Sequence, residues 1–141
     1  MLRGSCLCGA VAFEAAQPEE FRYCHCSRCR KSRGSAFGAN MFVQPADFRW
    51  RRGQDEVIKF RMPNTERFGN WFCRICGSPV PREVPVLNVM LIPAGALDGD
   101  PGVRPAYHIF VSSKAAWEDI ADDLPQHAQY PSRARRGMDV E

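Results

Sequence analysis

Seven cysteines carry the chemistry that this 141-residue sequence suggests. They fall into three tight groups: Cys6-x-Cys8, Cys24-x-Cys26-x-x-Cys29 and Cys73-x-x-Cys76. An odd number of cysteines and an N-terminus without an apolar export signal lead us to expect no disulfides. Four thiolates would also suit an iron–sulfur cluster, but tight pairs flanked by glycine are more typical of zinc. We therefore predict zinc sites.

The first and last groups predict a closed, structural zinc site. Gly4 and Gly9 flank the first pair and Gly77 follows the last. Glycine allows the tight turns that bring two sulfurs of one short segment to the same ion. Two such pairs, far apart in sequence, supply four thiolates and would stabilise the fold by joining distant segments. The predicted structural ligands are Cys6, Cys8, Cys73 and Cys76.

The middle group, Cys24, Cys26 and Cys29, predicts a three-thiolate site with an open fourth position. Catalytic zinc typically keeps such a position for water or substrate, and a thiol bound there is held as its reactive thiolate. A histidine could instead close the site. His25 alternates with its neighbours and would point away from their metal in an extended segment. His108 is the alternative fourth ligand, since zinc sites with three cysteines and one histidine are common.

A basic segment follows the middle group and could bind a substrate anion. Residues 28–40 contain four basic side chains, two hydroxyls and two glycines. Arg30 or Lys31 could pair with a substrate carboxylate, Arg30 through a bidentate fork. A solvated basic loop explains the segment as well, and core packing explains Phe37. Arg30 and Lys31 are our candidate substrate contacts.

Short apolar stretches interrupted by glycine and proline predict a mainly antiparallel β fold with zinc knuckles at strand ends. The predicted strands are residues 10–14, 21–23, 40–43, 48–51, 56–62, 68–72 and 86–92. Only residues 27–31, 45–48 and 115–120 are interpreted as helical turns. We expect one domain over residues 1–125 and a flexible tail over residues 126–141.

Composition and charge favour a cytoplasmic protein that acts on small molecules. The longest apolar run, 86–92, is far too short to span a bilayer. The formal charge of +3 becomes 3 − 7 + 4 = 0 if seven thiolates bind two divalent ions. A nearly neutral protein gives little reason to expect nucleic-acid binding. The sequence does not indicate an oligomeric state.

Several segments together resemble the glutathione-dependent formaldehyde-activating enzyme family, whose domain is also found in centromere protein V. They are Gly-Ser-Cys-Leu-Cys-Gly-Ala-Val at 4–11, Cys-His-Cys-Ser-Arg-Cys-Arg-Lys at 24–31, Phe-Cys-Arg-Ile-Cys-Gly-Ser-Pro at 72–79, Leu97-Asp98, and His-Ile-Phe-Val-Ser-Ser-Lys-Ala-Ala-Trp at 108–117. The cysteine frame, with the basic pair after Cys29, is the most specific part of this resemblance.

The resemblance implies an all-β fold of the Mss4-like type with two zinc ions. It implies a structural zinc on the outer four cysteines and a catalytic zinc on Cys24, Cys26 and Cys29. It also implies carbon–sulfur lyase chemistry on a thiol adduct such as S-hydroxymethylglutathione, formed from glutathione and formaldehyde. His108 is the best candidate for proton transfer. The alternative is a non-catalytic zinc module for chromatin or protein partners, based on the centromere relative and the basic segment 132–137.

Overall fold

Short strands are the main regular elements of the computed structural model, which describes residues 1–131. The strands are β1 Leu2–Ser5, β2 Ala12–Ala15, β3 Glu20–Cys24, β4 Gly38–Val43, β5 Phe48–Arg52, β6 Val57–Arg61, β7 Gly69–Cys73, β8 Arg82–Val84, β9 Val89–Pro93 and β10 His108–Ile109. Helix α1 spans Ser27–Arg33. The 3-10 turns are Pro45–Asp47, Gln54–Glu56, Pro85–Leu87, Ala94–Ala96 and Val111–Ser113. No helix within residues 1–131 is long and apolar enough to cross a membrane.

The strands form three sheets, and the predicted all-β fold is confirmed. The sheet orders are β1-β2-β5, β10-β3-β4-β9-β8 and β6-β7. Every pair is antiparallel except β10 with β3, where His108 lies beside Tyr23 and Ile109 beside Cys24. This parallel strand pair brings residues from the end of the domain next to the middle cysteine group.

The core lies between the three-stranded and five-stranded sheets. Strands β4 and β9 are buried on both faces, which is why they are continuous apolar runs rather than alternating ones. Met41 and Ile92 point to the shared core with Phe13, whereas Phe42 and Leu91 pack on the opposite face. The central strands are therefore a rigid support for the loops at their ends.

Two boundaries differ from the sequence-based expectation. Residues 86–92 do not form one strand: Asn88 adopts a positive φ of 52° after a 3-10 turn, and β9 begins at the next residue. Residues 115–120 form no helix. The Lys114 ammonium contacts the carbonyl oxygens of Ala115 and Glu118. Ala115 is buried but Trp117 is exposed, so the segment has too little buried apolar surface to stabilise a helix.

The folded part extends beyond the boundary that we expected at residue 125. The backbone N–H of His108 donates to the carbonyl of Pro125, and His127 donates back to His108. Phe110 donates to Gln129, and its ring meets the Tyr130 ring edge-on at 5.0 Å between centroids. Residues 126–130 thus belong to the domain. The basic segment 132–137, which supported the non-catalytic alternative, lies outside the described residues.

Candidate metal centres

The two outer cysteine groups converge on one point, as the sequence predicted. Ligand atoms of Cys6, Cys8, Cys73 and Cys76 all lie within 4.8 Å of one another. The sulfur of Cys8 is 3.6 Å from that of Cys6 and 3.9 Å from that of Cys73. A tetrahedral zinc with bonds of about 2.3 Å separates its sulfurs by about 3.8 Å, whereas a disulfide would need about 2 Å. The four thiols are free and fit zinc.

Tight turns hold the sulfurs of both outer groups. Gly9 and Gly77 have positive φ angles of 78° and 75°, and their N–H groups donate to the carbonyls of Cys6 and Cys73. Only glycine adopts this conformation without steric cost. The N–H of Val11 also donates to the Cys6 sulfur at 3.3 Å. The N–H of Ile75 donates in the same way to the Cys73 sulfur at 3.4 Å. Because N–H donors to sulfur stabilise thiolate charge, both turns suit a metal ligand.

The middle group forms a second, separate cluster. Cys24 ends β3, Cys26 caps the N-terminus of α1 and Cys29 lies in its first turn. Their sulfurs lie within 4.8 Å of one another, and each residue is at most 6% exposed. The Cys29 N–H donates to the Cys26 sulfur at 3.3 Å. Three sulfurs are thus held in a water-poor environment by only six residues of chain.

Hydrogen bonding among the three buried thiols favours one thiolate, on Cys26. Hydrogen bonds from Cys24 and Cys29 lower the pKa of Cys26 to about 3. The pKa of Cys24 is raised by its hydrogen bonds with Cys26 and Cys29 and by burial. A second thiolate therefore requires a counter-charge close by. A divalent ion would supply it, so the donor set fits zinc at this cluster as well.

Histidines do not complete the middle cluster among residues 1–131. The ring of His25 points away from the sulfurs, as expected, and its Nε2 lies 2.8 Å from Nδ1 of His108. His108 Nε2 lies 3.0 Å from both carboxylate oxygens of Asp122. Both His108 nitrogens are thus engaged, and His108 is not a fourth ligand. A chain of two buried histidines and the exposed carboxylate of Asp122 instead links the cysteine turn to the end of the domain.

The carboxylate of Asp122 determines which nitrogen donates each hydrogen bond in this chain of side chains. Asp122 only accepts, so Nε2 of a neutral His108 carries hydrogen and its Nδ1 accepts from Nε2 of His25. Burial, together with His108 and Lys114, lowers the pKa of His25 to about 4. The His25 ring is therefore neutral near pH 7. Its Nδ1 is a buried acceptor without a hydrogen-bond partner in residues 1–131.

Asn40 and Arg33 extend the cluster on its other side. Asn40 on β4 donates from Nδ2 to the Cys29 sulfur at 3.7 Å. Arg33 donates from Nη2 to Oδ1 of Asn40 at 3.1 Å. Gly38 pairs with Cys24 across β3 and β4, and its lack of a side chain leaves room for Asn40 and Cys29. An added Cβ would lie 3.1 Å from Asn40 Oδ1 and 3.2 Å from Cys29 Cβ.

The profile of the glutathione-dependent formaldehyde-activating enzyme family matches residues 1–113, a range that contains all seven cysteines. The chain belongs to this family. A Halomonas elongata protein provisionally named a glutathione-dependent formaldehyde-activating enzyme is 30% identical over 131 residues, covering 85% of this chain and 81% of that protein. A crystal structure of a Rhodobacter sphaeroides protein is similar with a TM-score of 0.54 and 30% identity, covering 74% of this chain and 92% of that one. The family resemblance inferred from the sequence is confirmed.

The two candidate substrate contacts, Arg30 and Lys31, are not among the side chains that we find linked to the Cys29 sulfur, which are Asn40 and Arg33. Lys31 is exposed and lines a cavity of about 350 Å³ together with Arg28 and Phe68. Arg30 is half-buried, and its carbonyl accepts from Gly34 and Ser35 at the end of α1. Their role as substrate contacts stays a prediction. Sequence reasoning missed Arg33, although its position four residues after Cys29 places both on one helix face.

Proposed function

We propose that this chain is a zinc-dependent enzyme that makes or breaks the carbon–sulfur bond between a small thiol, such as glutathione, and an aldehyde, such as formaldehyde. One observation carries the proposal: three buried sulfurs converge without a fourth protein ligand among residues 1–131. Family membership supports the thiol and aldehyde pair. Free cysteines throughout suit a reducing compartment, and we propose the cytoplasm.

The two clusters would hold zinc in different roles. Cys6, Cys8, Cys73 and Cys76 would hold a structural ion, and Cys24, Cys26 and Cys29 a catalytic one. A zinc ion with an open position acts as a Lewis acid and lowers the pKa of a bound thiol. This is carbon–sulfur lyase-type chemistry, since the adduct forms and decomposes at the same site.

The chain's own residues tune the cluster and keep water out. Asn40 donates to the Cys29 sulfur and disperses its charge. Phe68 and Phe110 pack against the three cysteines, so electrostatic interactions there are stronger than in water. The Asp122–His108–His25 chain fixes the turn that carries Cys24 and Cys26.

The net reaction needs no external acid or base. The thiol sulfur forms a bond to the carbonyl carbon, and the carbonyl π pair moves to oxygen. The proton lost by the thiol ends on that oxygen as a hydroxyl group. Breakdown of the adduct reverses these steps and returns the proton to sulfur.

Cys26→Ser tests the proposal. We expect the bound zinc to fall from two ions per chain to one, the far-UV circular dichroism to persist, and catalysed exchange between glutathione, formaldehyde and their adduct to fall at least 100-fold. Exchange-resolved ¹³C NMR measures this rate above the spontaneous background, and elemental analysis counts the metal. Undiminished catalysis with an empty middle cluster would contradict a role for zinc there.

A further inference from the structure

A cleft of about 510 Å³ opens between the C-terminal end of α1 and the outer cysteine site. Its walls combine the hydroxyl-bearing residues Ser5, Ser35 and Ser78 with the apolar side chains of Leu7, Phe37 and Pro79. Arg33 is the charged residue among those that line it. This volume is within the range of small-molecule pockets, and the mixture of hydroxyl and apolar surface suits a short peptide-like molecule.

Arg33 links this cleft to the middle cysteine cluster. Its guanidinium reaches the Cys29 sulfur through one intervening side chain, Asn40. Its Nε is buried and has no hydrogen-bond partner within residues 1–131. None of the ion pairs in that range gives Arg33 a carboxylate. Asn40 orients the Arg33 guanidinium, but no acidic side chain among residues 1–131 forms an ion pair with it.

A second guanidinium, that of the buried Arg82, adds to the positive charge. Arg82 is 5% exposed and donates to the backbone carbonyl of Arg67, again without an acidic partner among residues 1–131. Burial and the nearby charge of Arg33 lower its pKa to about 10, so it stays protonated at neutral pH. With three thiolates and one divalent ion, the local sum is −3 + 2 + 2 = +1. One further negative group would balance it.

We propose that Arg33 binds the carboxylate of the thiol substrate and that the cleft beside it selects small, anionic, peptide-like thiols over neutral ones. This inference rests on the proposed function and assigns its substrate contact to Arg33 rather than to Arg30 or Lys31. Arg33 is a specificity-determining residue in this scheme. The cysteine cluster performs the chemistry, and Arg33 holds the far end of the same molecule.

Equilibrium binding of glutathione and of glutathione diethyl ester, without aldehyde, tests the assignment by calorimetry on the zinc-loaded protein. A hydrogen bond to a charged group contributes about 1.5–3 kcal/mol, so Arg33→Met should weaken glutathione binding roughly 10- to 150-fold. Binding of the ester, which lacks both carboxylates, should change less than threefold. Arg33→Lys should recover part of the loss. Arg104→Met removes an exposed guanidinium that pairs with Asp100 away from the cleft, and it should leave both affinities within twofold. Lys31→Met tests the neighbouring cavity in the same way.

The outcomes separate the two proposals. Equal weakening of acid and ester by Arg33→Met, or loss of zinc from that variant, would mean a purely structural role and overturn the inference. A loss confined to Lys31→Met would move the contact to the neighbouring cavity. If Arg33→Met bound glutathione like the wild type, only the Arg33 assignment would fall. A wild-type protein that binds neither compound would overturn this inference and the proposed function together.

Discussion

Gly38 lies where β4 passes beside the middle cysteine cluster, and a larger residue there would require Asn40 or Cys29 to shift. We expect Gly38→Ala to push Asn40 and Cys29 apart, because the added Cβ would lie 3.1–3.2 Å from both. Overpacking of this kind typically costs about 1–3 kcal/mol. The variant should lose zinc from the middle cluster at least tenfold more readily, as measured by competition with a chromogenic chelator.

Gly99→Ala is the matched control for this prediction. A Cβ at Gly99 meets no heavy atom within 4 Å, so its zinc affinity should equal that of the wild type. The outer cluster should keep its metal in both variants. Unchanged zinc affinity in Gly38→Ala would show that the Asn40 contact does not support the Cys29 sulfur.

The division of the seven cysteines into a group of four and a group of three was predictable, because ligand spacing is a local property of the sequence. The residues that surround each group were not, because they depend on tertiary contacts. Cys24, Cys26 and Cys29 lie within six positions, so their convergence needs only one turn. Asn40 reaches Cys29 because β3 and β4 pair in a particular register, which the sequence does not specify. Arg33 was missed because the predicted helical turn stopped at residue 31, two residues before α1 ends.

At the scale of elements, the last described segment stabilises β10 and with it the histidine chain. Five backbone hydrogen bonds join residues 108–112 to residues 125–129. At about 0.5–1.5 kcal/mol each, they contribute roughly 3–7 kcal/mol. A chain that ends at Leu124 should therefore unfold at a markedly lower urea concentration, with the tryptophan fluorescence and circular dichroism transitions measured in parallel.

A chain that ends at Pro131 is the control for this truncation. It retains all five bonds and the Phe110–Tyr130 ring contact, so its urea midpoint should stay close to that of the full chain. Equal midpoints for the two truncated chains would show that the segment after residue 124 does not support the fold.

Strands with strong internal patterns were predictable, and those defined by their partners were not. Residues 57–61 and 69–73 were found from their apolar content, as were the central strands. β10 has only two residues and exists because β3 offers a free edge for parallel pairing. The segment 115–120 shows the converse: its composition favours a helix, but no apolar surface covers it.

For the molecule as a whole, the two metal sites should be separable by chelation. The middle cluster offers three ligands from one segment, and the outer cluster offers four that join the β1–β2 connection to the end of β7 and the turn after it. We expect the first ion to leave with little change in circular dichroism and the second to leave as the protein unfolds, because structural zinc contributes folding energy. Stepwise titration with a strong chelator, read by metal release and by circular dichroism, measures both events.

Cys26→Ser provides the control, since it should show the second step alone. Release of both ions in one cooperative step from the wild type would contradict the separation. Loss of the fold with the first ion would mean that the middle cluster is structural.

The wide separation of the outer ligands has a consequence for the order of events on the ribosome. The middle cluster has all its ligands once Cys29 has been made, but the outer one also needs Cys73 and Cys76, the last of which comes 76 − 29 = 47 residues later. At about 5–20 residues per second, this interval lasts roughly 2–9 s. During that time Cys6 and Cys8 are an unpaired dithiol on a nascent chain. If both clusters bind zinc as we propose, we expect the cell to load one chain in two steps, first at the site that we propose to be catalytic and then at the site that closes the fold.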